Sequence, residues 1–154
     1  MSYSIIELNS LDLDIFFKDE SKMIHLASAG GLLPERLLNS DSYNKNILDI
    51  ISNFNSEFEF EVNPNLTEIL GISQDGLENY IISFIEMAKR GFYSYDKSKL
   101  GDFEDLTFHL VARPKSPLKP NILFRKYDNI LENVITATSD LPFNFESLNL
   151  SEHI

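Results

Sequence analysis

The stretch that decides the fold is residues 73–91, SQDGLENYIISFIEMAKRG, followed directly by the aromatic residues FYSYD. Its apolar side chains recur every three or four residues, which predicts an α-helix with one apolar face made of Leu77, Ile81, Phe84, Ile85 and Ala88. Asp75 is expected to cap the first turn, and the run ends in Lys89, Arg90 and Gly91, as is typical of a helix C-terminus. We therefore expect one helix over residues 73–91.

Strand patterns surround this helix. Residues 106–114, LTFHLVARP, alternate in the way that is typical of a strand packed under the helix. Upstream, IFFK and MIHLAS flank DESK and predict a β-hairpin. Together these patterns favour an α+β fold, with a mixed or antiparallel sheet and helices packed on at least one face. At 154 residues, the chain is expected to form a single globular domain over residues 1–154.

The remaining segments give weaker signals. Pro34 suits the first turn of a helix that runs to about Asn39, and Ser42 is expected to cap a second helix that carries an apolar stripe from Ile47 to Phe54. Helical spacing resumes in residues 128–138, whereas residues 113–126 are basic and rich in proline, which favours extended backbone. Residues 63–73 fit no single element.

The strictest alternation in the chain is EFEFEV, residues 57–62. It predicts a strand with Phe58, Phe60 and Val62 on one face and three carboxylates on the other, Glu57, Glu59 and Glu61. The acidic face is either the solvated outer face of an edge strand, where charge prevents aggregation, or a docking surface for a basic partner.

Charge and composition limit the classes of function. The net charge is −11, and residues 1–77 hold 13 acidic and 4 basic residues. Such a field repels nucleic acid and anionic membranes and attracts cationic partners, although acidity also serves solubility alone. The chain has no cysteine, no export signal at its start and no apolar run long enough to span a membrane. A cytoplasmic location is therefore expected.

No catalytic signature is present. None of the three histidines, His25, His109 and His153, has a recognised metal-ligand spacing, and no GxSxG motif surrounds a serine. We therefore predict no metal, no cofactor and no enzymatic activity. Tyr93, Tyr95 and Asp96 form the most suggestive polar aromatic group, although aromatic residues just beyond a helix also serve to close a core.

Two stretches resemble small immunity proteins of bacterial contact-dependent inhibition and polymorphic-toxin systems. They are DIFFKDESKMIHLASAGGLLPE, and YIISFIEMAKRGFYSYDK through DLTFHLVARP. The resemblance lies in small residues and glycines before Leu-Pro, then a helix, aromatic residues, an aspartate and a strand. It implies an intracellular protein that binds one cognate toxin domain and blocks its active site or substrate path, without chemistry of its own.

These observations lead to one expectation and two alternatives. We expect a protein that neutralises a basic toxin domain, with a partner-binding surface made of Glu57, Glu59, Glu61, Asp102, Glu104 and Asp105. A second patch is possible at Tyr93, Tyr95 and Asp96. The alternatives are a small enzyme or ligand-binding domain with its site near Tyr93 to Asp96, and a structural or regulatory interaction module. The oligomeric state is left open.

Overall fold

The computed structural model describes residues 4–38, 41–116, 118–127 and 129–154. Within these ranges the chain forms six strands: β1 (Asp14–Lys18), β2 (Met23–Ala27), β3 (Phe60–Val62), β4 (Tyr93–Lys97), β5 (Thr107–Pro114) and β6 (Leu148–Asn149). The helices are α1 (Ile5–Ser10), α2 (Glu35–Leu38), α3 (Asp41–Ile51), α4 (Leu66–Leu70), α5 (Gln74–Tyr80), α6 (Ile82–Lys89) and α7 (Pro120–Lys126), with a 3₁₀ turn at Leu150–Glu152.

All six strands belong to one mixed sheet in the order β1-β2-β4-β5-β3. The pair β2 and β4 is parallel, and the other pairs are antiparallel. Strands β3 and β6 share the outer edge of β5, because β3 pairs with residues 112–114 and β6 with residues 107–108. The predicted α+β fold with a mixed sheet is confirmed.

Helices cover both faces of the sheet. On one face, Leu8 of α1 and Leu37 of α2 share a core with Tyr95 and Phe108. On the other face, α3, α6 and α7 pack over Phe16, and α4 and α6 pack over Val111. Residues on both faces of β2 and β5 are consequently buried, although the alternation in β5 had suggested one apolar face.

The predicted hairpin is confirmed, and its turn fastens the C-terminal segment. Asp19 accepts hydrogen bonds from the backbone N–H groups of Ser21, Lys22 and Leu141, at 2.8, 2.9 and 2.9 Å. The Lys22 ammonium lies 2.6 Å from Asp19 Oδ2 and also donates to the Leu141 carbonyl. Both charged side chains are fully buried, so this pair is an internal link between the hairpin and residues near Leu141.

The central helical stretch differs from the prediction at two points. It is two helices, α5 and α6, that meet at Ile81, and its N-cap is Ser73, which accepts the Gly76 N–H, rather than Asp75. On its predicted apolar face, Phe84 and Ala88 are buried. The members Leu77, Ile81 and Ile85 are only partly buried.

Other boundaries are corrected. Only residues 60–62 of EFEFEV pair in the sheet. The α3 helix already includes Asp41, so Ser42 lies inside its first turn rather than at its cap. The unassigned residues 63–73 contain α4, and the basic segment expected to be extended contains α7, which begins at Pro120. Residues 129–138 form turns and a bridge instead of the predicted helix. The predicted end of the first helix, Asn39, lies outside the described residues.

Candidate functional site

The acidic edge, defined as Glu57, Glu59 and Glu61, lies beside the basic segment that ends and follows β5. Each carboxylate has a cationic partner: Glu57 with Lys126 at 2.6 Å, Glu59 with Lys115 at 3.8 Å, and Glu61 with Arg113 at 3.5 Å. The antiparallel pairing of β3 and β5 places Glu61 directly opposite Arg113. The fold therefore compensates charges that lie in separate segments of the sequence.

This compensation is weak where the side chains are exposed. The Glu59 carboxylate side chain is 82% exposed and Lys115 is 61% exposed. Exposed ion pairs contribute about 0 to 1 kcal/mol, so a basic partner can replace Lys115 at little cost. An open groove of about 390 Å³ runs along the acidic edge, lined by Ser56 through Phe60 with Lys89 and Lys115.

The second predicted group, Asp102, Glu104 and Asp105, lies at the opposite end of β5. Asp105 accepts a hydrogen bond from the Thr107 N–H at 2.8 Å, which lowers the pKa of its carboxyl group, and it also lies 3.6 Å from Lys99. Asp102 and Glu104 are exposed. A strand rises about 3.3 Å per residue, so roughly 20 Å separates the two ends of β5. The two predicted acidic groups therefore do not form one continuous patch.

A third acidic group was not predicted from the sequence. Glu68 of α4 and Asp75 and Glu78 of α5 are exposed, and they have no ion-pair partner in the described part of the chain. We call them the acidic helix group. The α5 helix buries none of its residues. The charge distribution could have indicated this group, because residues 46–88 contain eight acidic residues and no Lys or Arg.

The predicted patch at Tyr93, Tyr95 and Asp96 is divided between two faces of β4. Both tyrosines belong to the core that contains Phe108, and the Tyr95 hydroxyl donates to the Pro142 carbonyl at 3.1 Å. Burial raises the pKa of Tyr95 above its usual range. Asp96 points to the opposite face, toward Tyr80. The three side chains therefore do not share a pocket.

Asp96 is instead one end of a chain of hydrogen bonds in which Asp96 and His109 are buried and Tyr80 and Ser98 are half-buried. Tyr80 donates its hydroxyl proton to Asp96 Oδ2 at 2.5 Å, and the Tyr80 oxygen lies 3.2 Å from His109 Nε2. Ser98 Oγ is 2.9 Å from His109 Nδ1. Because the Tyr80 proton is committed to Asp96, a neutral His109 satisfies both contacts by carrying its proton on Nε2 and accepting the Ser98 hydroxyl proton.

Burial shifts the pKa values of Asp96 and His109 in opposite directions. It raises the pKa of Asp96 from 3.8 to about 6 and lowers the pKa of His109 from 6.5 to about 4. The stability contributed by Asp96 is therefore present below pH 3.8 and is lost as the pH rises through 6. The stability contributed by His109 is present above pH 6.5 and is lost as the pH falls through 4. The two effects oppose each other in the same pH range.

Three neighbouring strands also place a serine, a histidine and an aspartate in line. His25 Nδ1 is 2.7 Å from Ser94 Oγ, and His25 Nε2 is 2.7 Å from Asp14 Oδ1. These are the residue types of a hydrolase triad. However, the Ser94 residue is 0% exposed, and the His25 ring contacts Phe16 and Phe84. In this conformation a substrate cannot reach the hydroxyl, so the array links β1, β2 and β4.

Among the described residues, no group of three His, Cys, Asp or Glu side chains is placed to hold a metal ion. In the same ranges, no helix combines the length and apolar composition needed to cross a bilayer. A scan against protein-family models and searches of curated proteins and of solved structures found no match to this chain.

Proposed function

We propose that this protein is a cytoplasmic immunity protein that binds a cognate, basic toxin domain and blocks its active site or substrate path. The observation that carries the proposal is the uncompensated negative charge of the acidic helix group. This group lies within residues 46–88, a segment that contains eight acidic residues and no Lys or Arg. The resemblance of residues 14–35 and 80–114 to immunity proteins supports the same function.

The acidic edge is expected to bind the toxin domain together with the acidic helix group. Its carboxylates are paired, but Glu59 and Glu57 remain largely exposed, and the adjoining groove of about 390 Å³ offers space for side chains of a partner. A basic partner competes with Lys115 and Lys126 for Glu59 and Glu57. Screening at physiological ionic strength acts over about 8 Å, so charges at the rim chiefly set the association rate and its salt dependence.

For the test, we expect a cognate toxin domain to be encoded in a neighbouring gene. Co-expression of the protein is expected to restore growth of cells that produce the toxin domain. The purified pair is expected to associate more slowly as salt concentration rises. Absence of protection and of measurable binding would refute the proposal.

Three charge-matched triple variants then locate the interface, and each removes three negative charges. They are Glu57→Gln with Glu59→Gln and Glu61→Gln; Glu68→Gln with Asp75→Asn and Glu78→Gln; and Asp102→Asn with Glu104→Gln and Asp105→Asn. After folding has been checked, association is measured over a salt series. We expect the first two to lower the association rate and its salt dependence, and the third tests whether contact reaches the other end of β5. Equal kinetics in all three variants and the parent would rule out recognition by these acidic groups.

A further inference from the structure

A cavity of about 240 Å³ lies where β4 and the end of β5 meet the C-terminal segment. It is lined by Tyr93, Arg113, Pro114, Lys115 and Phe143. The cavity is distinct from the acidic helix group, but it shares Lys115 with the groove along the acidic edge. The lining of the cavity includes Tyr93, a member of the predicted Tyr93 to Asp96 patch.

The Tyr93 hydroxyl gives the first indication of a ligand. The residue is 2% exposed, yet its hydroxyl has no hydrogen-bond partner among the described residues. A buried polar group without a partner is costly, and each such group in a native structure requires an explanation. Burial raises the pKa of Tyr93, so the hydroxyl is a neutral donor at physiological pH.

The other polar groups that line the cavity are also donors. The Arg113 guanidinium has five N–H groups, of which one donates to the Phe143 carbonyl and another faces Glu61 at 3.5 Å. Lys115 adds an ammonium group whose partner, Glu59, is 3.8 Å away. The three polar side chains of the lining therefore offer protons and positive charge, which is the chemistry that binds an oxyanion.

The rest of the lining is apolar and limits the size of the ligand. The Phe143 ring stands edge-on to Tyr93, with 5.7 Å between ring centroids, and Pro114 adds a second apolar surface. The volume is below the roughly 300 to 1,000 Å³ of sites for drug-sized ligands. We propose that this cavity binds a small oxyanion that carries one apolar ring, such as an aromatic carboxylate or an aryl phosphate.

Glu61 is expected to weaken ligand binding at this site. Its carboxylate competes with the ligand for Arg113 and repels an incoming anion. Replacing Glu61 with Gln therefore strengthens ligand binding, whereas removal of the Tyr93 hydroxyl weakens it. Opposite effects of two single substitutions are difficult to obtain from a general change in folding.

The experiment is a calorimetric titration of the protein with benzoate and, separately, with phenyl phosphate. Benzyl alcohol is the uncharged probe, and it is expected not to bind. Tyr93→Phe is expected to weaken binding of the preferred anion by roughly tenfold or more, the value for one hydrogen bond to a charged group. Glu61→Gln is expected to tighten it severalfold. Glu104→Gln, which makes the same charge change at the other end of β5, is expected to leave it unchanged.

The outcomes separate the proposal from its alternatives. Preference for benzoate or for phenyl phosphate distinguishes a carboxylate ligand from a phosphate ligand. Failure of both anions to saturate the protein would overturn the proposal, as would equal affinities in the parent and the Tyr93→Phe variant. The Tyr93→Phe variant is also expected to unfold at the same temperature as the parent or higher, because the lost hydroxyl has no partner. A clear loss of stability would show that the hydroxyl is already bonded within the protein.

Discussion

Replacing Asp19 with alanine is expected to destabilise the protein strongly. The substitution leaves the Lys22 ammonium fully buried without a counter-ion, and it removes the acceptor for three backbone N–H groups, those of Ser21, Lys22 and Leu141. Breaking a buried ion pair by removing one partner costs about 3 to 5 kcal/mol. For a chain of this length, each kcal/mol lowers the unfolding temperature by about 2 to 4 °C, so a decrease of roughly 6 to 20 °C is expected.

The assay is urea and thermal unfolding of four variants: Asp19→Ala, Lys22→Met, the double variant and Glu20→Ala. Glu20 is the exposed neighbour in the same turn, and its variant is expected to stay within about 0.5 kcal/mol of the parent. The double variant is expected to lose less than the sum of the single variants, because removing both charges leaves no unpaired ion in the core.

Two results would refute this reasoning. A loss below about 1 kcal/mol for Asp19→Ala would mean that water replaces the carboxylate and that the pair is not truly buried. Additive losses in the double variant would mean that Asp19 and Lys22 act independently, despite the 2.6 Å distance between their charged groups.

Three further predictions concern the helical layer, the buried polar chain and metal dependence. Phe84→Ala should cost about 3 to 5 kcal/mol, with Ile82→Ala, at a site 58% exposed, as its control; an unchanged urea midpoint would show that the wrong face of α6 was assigned. Asp96→Asn should make the protein less stable by roughly 3 kcal/mol as the pH falls from 6.5 to 4, since it leaves the His109 effect unopposed, whereas His109→Gln should show the reverse trend. Urea midpoints between pH 4 and 7 test this, and parallel curves for the two variants would contradict it. Dialysis against a chelator should leave the unfolding midpoint unchanged, and a stoichiometric metal lost together with stability would disprove that expectation.

The elements that were predicted correctly are those whose signals are local. The hairpin follows from two apolar runs around a polar turn, and β5 follows from the alternating residues 106–114, which end at a proline, although both of its faces are buried. The core side of α6 follows from the spacing of Phe84 and Ala88. In each case the residues that carry the pattern lie next to one another in the chain.

The helix predicted over residues 128–138 shows where spacing alone fails. Leu131 and Val134 are buried, as the apolar pattern requires, but Asn129 has a φ of 62° and the backbone forms turns. The Lys18 N–H then donates to the Ile135 carbonyl at 2.9 Å, and the Ala137 N–H donates to the Lys18 carbonyl at 2.7 Å. Pairing with the edge of β1 therefore overrides the helical spacing.

The arrangement of charges at the candidate sites depends on contacts between residues that are far apart in the chain. The spacing of residues in the sequence does not reveal such contacts. Glu57 and Lys126 are far apart in the chain, yet their charged groups are 2.6 Å apart. The consecutive residues Tyr95 and Asp96 face opposite sides of β4, because successive side chains of a strand alternate. A reading of local charge density could locate the acidic segments, but it could not show which carboxylates were already paired.

The parallel pairing of β2 with β4 has a consequence for synthesis of the chain. The apolar strand β2 ends at Ala27, but its neighbour β4 begins at Tyr93, and the strand that completes the centre of the sheet ends at Pro114. At roughly 5 to 20 residues per second, about 4 to 17 s pass between synthesis of Ala27 and of Pro114. During that interval one edge of β2 has no partner strand, so a nascent chain is expected to depend on chaperone protection until β4 and β5 have left the ribosome.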